Sequence, residues 1–429
     1  MIPGVGRDHP LRANRDFRRF FAGQFVTNAG DSLYTVAVLW LVFELSGSSA
    51  LVGAVNAILL LPWLLQAVAG PIVDRFPLRR LLVGSQVVQG AVVLVFPLAA
   101  VAGRLGVDLI VGVVPILMLA TLVMGPMQAA VVPRIVADGR LSTANSALAT
   151  VTLGLDMLFD AVGGGLIAVL GTNALFVADA VTFALAALLF ARIGLPGGAA
   201  GDDSTDAESS VAGAVRSYVD DMREGVEILR GTVFVELVLT TAVTNFTTGV
   251  TLAVLPAFGA ALGGPALYGL MLGALGTGRL LGSVVGPRFE GVGYGQFLIV
   301  GHGLGACSWL AAALVPSTAL TVGLFGLAWV PVAASGVLTS TLNQRVFPTD
   351  SLGRVSALKG TASGATLPLG SLLGGAVGDA IGHGTTVALA ASGFGFTAAY
   401  VLLRPRLRGL PAVATAEPAD FDVEVIEES

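Results

Sequence analysis

The chain has 429 residues, of which 55% are hydrophobic and only 12% charged, with a formal net charge of −5. Soluble proteins carry about 25% charged residues, so a string of soluble domains with polar faces is excluded and an integral membrane protein is the reading that remains. The acids concentrate in "GDDSTDAESS" (201–210) and in "PADFDVEVIEES" (418–429), and Lys359 is the only lysine in a chain that otherwise uses arginine.

In chain order, "RDHPLRANRDFRRFF" leads into a full-length apolar segment without a small-residue cleavage site, which does not read as a cleavable signal. A membrane helix needs about 20 apolar residues. Twelve stretches meet that need, at about 17–45, 50–73, 79–102, 107–135, 143–169, 172–193, 231–260, 266–286, 293–315, 318–345, 354–380 and 384–403. Between the second and third lies "GPIVDRFPLRR" (70–80), with one acid and three arginines in a short turn. Cys307 is the only cysteine, so no intrachain disulfide can form, and its apolar surroundings predict a small core residue.

The connections sort by charge. Those after odd-numbered stretches hold one arginine, Arg104. Those after even-numbered stretches and the two ends hold Arg15, Arg18, Arg19, Arg75, Arg79, Arg80, Arg134, Arg140, Arg192 and the remaining loop arginines through Arg408. The positive-inside rule then places both termini in the cytoplasm and independently supports an even helix count.

The longest interruption divides the chain. It opens on a small, polar run that predicts disorder and continues as "VRSYVDDMREGVEILRG", with Val215, Tyr218, Met222, Val226 and Leu229 at helical spacing. That spacing predicts an amphipathic helix on the cytoplasmic membrane surface. The expected organisation is a cytoplasmic N-terminus (1–16), a six-helix bundle (17–193), a linker with an amphipathic helix (194–230), a second six-helix bundle (231–404) and an acidic cytoplasmic tail (405–429).

The halves repeat. "ALVGAVNAILLLPWLLQAVAGP" (50–71) lies over "ALYGLMLGALGTGRLLGSVVGP" (266–287) without a gap, and "VTNAGDSLYTVAVL" resembles "VTNFTTGVTLAVL" with one deletion. Arg134, Gly164 and Gly171 fall over Arg345, Gly375 and Gly382 at one constant offset. Two parallel six-helix repeats describe a transporter with its site between the halves.

With these features in hand, the chain resembles the major facilitator superfamily. Gly70, Asp74, Arg75, Arg79 and Arg80 match the signature between the second and third helices, with Leu78 where a second glycine is usual. "FRRFFAGQFVTNAGDSLYTVAVLWLVFELSGSSALVG" and "VVPRIVADGRLSTANSAL" look like the drug-efflux branch that includes enterobactin and macrolide exporters. The second-half copy of the signature lacks the aspartate, and "LGLDMLFDAVGGGLIAVLG" lacks the Gly-Pro of efflux antiporters. The resemblance implies an all-α membrane protein with twelve transmembrane helices as two pseudo-symmetric six-helix bundles. It also implies that Asp74 pairs across to the second half near Ser351–Arg354, as a latch framed by the motif arginines.

Ionisable groups inside a membrane span are costly and mark function by default. Asp31 lies near the midplane of the first stretch, over a threonine near 247–248 in the second half. Asp156 and Asp160 share a face of the fifth, four residues apart, over Leu367 and Ser371. Arg279 is the only arginine well inside an apolar span. The resemblance places the fifth and eighth helices opposite each other, so Asp156 or Asp160 can pair with Arg279. An acid beside a cation stays ionised, whereas one alone in an apolar cavity takes a proton, the chemistry a proton-coupled carrier needs. Asp179, Glu44, Glu236 and His302 are weaker candidates. Asn28, Asn56, Gln66, Asn245 and Asn343 either line a polar cavity or bridge helices. Trp40, Trp63, Trp309 and Trp329 fit packing as well as ligand stacking.

Three scattered histidines and one cysteine offer no metal set, and no phosphate-binding loop is present. No cofactor, nucleic-acid partner or enzymatic activity is expected, and ATP is not the expected energy source. The expectation is a monomeric plasma-membrane carrier exporting small hydrophobic or amphipathic molecules by alternating access, with protons as the coupling ion. A facilitator or importer of a specific solute, favoured by a cavity rich in hydrogen-bonding groups, is one alternative. A non-transporting receptor or scaffold on the same fold is another.

Overall fold

The computed structural model describes residue 11 and residues 14–195 and 211–423. The polar run at 201–210, expected to be disordered, lies outside them. The described residues are helical and contain no strand. In chain order the helices are α1 (Arg15–Ser46), α2 (Ser49–Arg75), α3 (Leu78–Val93), α4 (Val95–Val101), α5 (Val107–Thr121), α6 (Met124–Ile135), α7 (Leu141–Leu170) and α8 (Thr172–Ala191). After them come α9 (Val211–Leu229), α10 (Phe234–Leu262), α11 (Pro265–Val285), α12 (Tyr294–Leu314), α13 (Thr318–Val346), α14 (Thr349–Gly364), α15 (Thr366–Ile381), α16 (His383–Ala390) and α17 (Ser392–Leu403).

Among the described residues, nine helical spans are long and apolar enough to cross a membrane. The other stretches expected to cross, 50–73, 143–169 and 354–380, are helical as well. Two of them carry shorter apolar helices, Ser49–Pro62 and Leu158–Leu170. Large apolar side chains point outward, among them Val101, Val169 and Leu403. Such faces are unfavourable in water and natural against lipid chains.

The chain forms two compact units, Met1–Leu45 with Ile58–Ser217, and Ser46–Ala57 with Tyr218–Ser429. In the first, α3 packs on α8 and α5. Its core joins Phe17, Phe20, Leu82, Met127, Val131 and Phe190. In the second, α11 packs on α13, α10 on α15, and α12 on α13 and α17. A Cβ added at Gly249 or Gly370 would overlap the facing backbone carbonyls of Leu367 or Phe246. Small residues thus bring α10 and α15 into backbone contact, as helices in lipid pack.

The sequence repeat has a structural signature. α7 and α15 both end on a glycine with positive φ, Gly171 at 78° and Gly382 at 91°. Each donates its N–H to the carbonyl four residues earlier, Ile167 and Gly378. Only glycine adopts that backbone without steric cost, and it satisfies a carbonyl at the helix end.

Cys307 departs from expectation. It is exposed, on the stripe of α12 that carries Val300, Leu304, Leu310 and Leu314 outward. A helix apolar all round gives no periodic contrast between a packed face and a lipid face.

Candidate functional site

The first unit places two intramembrane acids within electrostatic range of each other. Asp179, on α8, is fully buried. Thr182 donates its hydroxyl to the Asp179 backbone carbonyl at 2.7 Å and lies 3.3 Å from Asp179 Oδ1. The second carboxylate oxygen has no hydrogen-bond partner. The carboxylate faces α1 at Gly30, where a Cβ would overlap both Asp179 Oδ1 and Thr182 Oγ1. Asp31 is the next residue along α1, half-buried and within electrostatic range of Asp179. One turn further, Tyr34 is buried, its ring against Phe96 and Phe176 and its hydroxyl without a partner. Nearby polar groups tie α1 to its neighbours. Thr27 donates to Gln86 Oε1 at 3.0 Å, Gln24 donates to Gln128 Oε1 at 2.8 Å, and Asn28 donates back to the Gln24 carbonyl at 2.6 Å.

Of the other predicted acids, Asp160 is partly buried on α7, while the side chain of Asp156 lies outside the described residues. Arg279 sits mid-way along α11 with its side chain exposed. In the motif, the surroundings of Gly70, Asp74 and Arg75 lie outside the described residues, as do those of Trp63 and Gln66. Arg79 and Arg80 are exposed. Arg79 donates to the carbonyl of Ala191, the last residue of α8, and Arg19 donates to the carbonyl of Arg192 next to it. Two cations thus meet the unsatisfied carbonyls and negative dipole end of α8, a local role for Arg79 beyond topology.

The second unit contains a cavity of about 350 Å³. Its wall comes from α10, α12, α13, α14 and α17, and includes Thr240, Thr241, Asn245, Tyr294, His302, Ser335, Thr339, Asn343, Ser363 and Lys359. Lys359 donates to Asn343 Oδ1 at 2.6 Å, and its ammonium stands 4.2 Å from the centre of the Phe234 ring. Tyr294 and Thr339 share a hydrogen bond of 2.6 Å between hydroxyls, and Asn245 donates to the Ser363 carbonyl at 3.0 Å. His302 is buried edge-on to Phe394, and Trp309 and Trp329 pack on the same ring. Both tryptophans therefore serve packing.

Two further segments pack against the second unit. The tail turns back: Val413 and Phe421 are buried, Phe421 stacks on Phe234, and Arg345 donates to the carbonyls of Val413 and Ala414. The linker helix α9 lies along α14. Tyr218 bonds Thr361 through their hydroxyls at 2.7 Å, and Arg354 pairs with Glu224 at 2.5 Å and Asp221 at 3.9 Å. The amphipathic helix thus turns one face to α14, with acids meeting the arginine.

At the opposite end of α15, Asp379 accepts from the Ser48 hydroxyl and from the backbone N–H groups of Ser49 and Ala50. Asn56 donates to Ser371 Oγ at 2.8 Å. Asp379 was not singled out in the sequence, and nothing local in it pairs residue 379 with residues 48–50. Lys359 does carry a signal in the sequence, as its only lysine. Among the described residues, no group of three or more His, Cys, Asp or Glu residues could hold a metal ion.

Residues 8–428 match the family described as Transmembrane secretion effector. A comparison with curated proteins finds no match. Among solved structures, the chain is similar to the nucleoside transporter NupG (TM-score 0.66, 13% identity, covering 90% of this chain and 98% of that one). It is likewise similar to a bacterial homolog of the human lysosomal transporter Spinster, in an inward-facing and occupied conformation (0.68, 12%, covering 92% and 97%). A third is the xylose transporter XylE from E. coli in an inward-open conformation (0.61, 14%, covering 90% and 95%).

Proposed function

The chain belongs to the transmembrane secretion effector family and is a multi-pass major facilitator superfamily transporter, and from that premise we propose a secondary active transporter that exports a small molecule against an inward proton flow. It works by alternating access, with twelve membrane crossings, both termini in the cytoplasm and the plasma membrane as its location. It acts as a monomer. The observation that carries the reading is Asp179, fully buried against α1 at Gly30, with Asp31 within electrostatic range on the same helix.

An intramembrane carboxylate is expensive to hold without a task. Two of them within electrostatic range of each other, one packed at a glycine, make a place where one proton can be taken up and released. In this reading Asp31 and Asp179 exchange the coupling proton. Asp156 and Asp160 in the first unit, and separately Arg279 in the second, are further proton-coupling or transport candidates. Asp74 of the loop motif acts in conformational gating, so Asp74→Asn shifts the balance between inward- and outward-facing forms.

The test is transport in proteoliposomes under an imposed pH gradient, with an amphipathic dye as cargo and Asp31→Asn and Asp179→Asn as variants. Gradient-driven movement that survives both substitutions removes proton coupling from this pair. The cavity of the second unit favours a second reading of the cargo. Its wall is rich in hydroxyl and amide groups, which suits a specific polar solute better than a broad range of hydrophobic ones.

A further inference from the structure

Lys359 is the only lysine in 429 residues. It is partly buried, and it lines a cavity whose wall contains no aspartate or glutamate. Among the described residues no carboxylate pairs with it. An ammonium has three N–H donors. One goes to Asn343 Oδ1, and the Phe234 ring attracts the charge without using a donor. A cation held in a membrane bundle with donors to spare and no counter-ion is a costly arrangement. It makes sense if an anion arrives from outside the chain.

The rest of the wall says what else that anion carries. Thr240 and Thr241 donate to the Leu237 carbonyl at 2.8 and 3.0 Å. Ser335 donates to Val332 O at 2.7 Å, Thr339 to Ser335 O at 2.7 Å, and Ser363 to Lys359 O at 2.6 Å. Each hydroxyl has spent its one hydrogen on its own helix and keeps only lone pairs for a ligand. Around the one cation the cavity therefore offers these oxygens as acceptors, beside the hydroxyls of Ser340 and Ser356. A single ammonium beside one amide N–H matches the one charge and two oxygens of a carboxylate.

We propose that the cavity of the second unit binds a small organic acid, its carboxylate on the Lys359 ammonium and the Asn343 amide, and its hydroxyl or amino groups on the surrounding hydroxyl oxygens. This names the chemical class of a solute and rests on the transporter reading only in calling that solute cargo.

The test uses the full chain in nanodiscs of phosphatidylcholine with no gradient, so its outcome is separate from that of the coupling experiment. Lactate, serine and 4-hydroxybenzoate are titrated against the corresponding amides. Binding is read by calorimetry and by protection from an amine-acylating reagent, scored by peptide mass spectrometry. With one lysine in the chain, acylation reports a single side chain, and the N-terminal amine serves as the control in the same tube. At least one acid binds and slows acylation at Lys359 by about tenfold or more, while its amide does neither. Lys359→Met loses the binding, and Lys359→Arg, which keeps the charge, retains it within about tenfold. The proposal is overturned if no acid binds, if amides protect as well as acids, or if Lys359→Met binds like the parent. It is overturned equally if inorganic phosphate alone protects, or if protection requires phosphatidylglycerol in the disc, which would make this a phosphate or lipid-headgroup site.

Discussion

The carboxylate of Asp379, near the end of α15, accepts the backbone N–H of Ser49 at 2.7 Å, at the first residue of α2. The Ala50 N–H at 3.0 Å and the Ser48 hydroxyl at 2.7 Å complete the contact. The four N–H groups that open a helix have no partner within it, and an acid there also meets the positive dipole end. Here the acid comes from more than 300 residues away. Gly53 and Gly375 tighten the same contact, since a Cβ at either would overlap a carbonyl of the opposing helix, Ser371 or Ser49.

Asp379→Asn keeps the shape and removes the charge, at a cost of about 1 kcal/mol. In a Cys307→Ser background, Ser48→Cys should react faster with a membrane-impermeant maleimide when Asp379 is Asn. Equal labelling rates would show that the carboxylate does not hold the start of α2 in place.

Gly30→Ala drives a methyl group into Asp179 and Thr182. Overpacking of a tight site costs about 1–3 kcal/mol. The melting temperature in detergent should fall, and gradient-driven transport should be lost with it. Gly165→Ala on α7 is the control, because a Cβ there meets nothing within 4 Å. If both variants melt and transport alike, the close approach at Gly30 has no special role.

Phe421 is fully buried and stacks on Phe234. Phe421→Ala should cost about 3–5 kcal/mol and should raise the acylation rate of Lys359, whose ammonium lies over the same Phe234 ring. A melting temperature unchanged in this variant would mean that the tail contributes nothing to the bundle.

Arg354 bridges Glu224 and Asp221, with its side chain 39% exposed. Exposed ion pairs contribute about 0–1 kcal/mol, so Arg354→Ala should leave the melting temperature nearly unchanged. Its effect belongs in hydrogen exchange, which should speed up along α9. Exchange at the parent rate would place the docking of α9 on Tyr218 and the apolar contacts near Gly225 instead.

The fold was legible because lipid imposes a simple pattern of long apolar runs and polar turns. Repeat positions were legible too, since Gly171 and Gly382 do the same backbone work. Asp31 stood out by depth alone. Asp179 ranked only as a weaker candidate, because hydropathy gives no face to a helix apolar all round, and nothing in a sequence marks Gly30 as the point where α8 touches α1. Cys307 was misplaced for the same reason. The acidic composition of 418–429 masks Phe421, whose partner Phe234 is far away in the chain. Lys359 was visible as a singularity, but its meaning depends on Asn343, Phe234 and the hydroxyl wall, which only the packed bundle assembles.

The central claim, that Asp31 and Asp179 handle one proton together, is tested most directly by dye transport in proteoliposomes under an imposed pH gradient. The parent, Asp31→Asn, Asp179→Asn and the double variant are compared at equal protein density. Groups that act as one unit are non-additive. The account predicts that each single substitution abolishes gradient-driven transport and that the double variant is no worse than either one. Full gradient-driven transport in either single variant, or losses that simply add in the double, would contradict it.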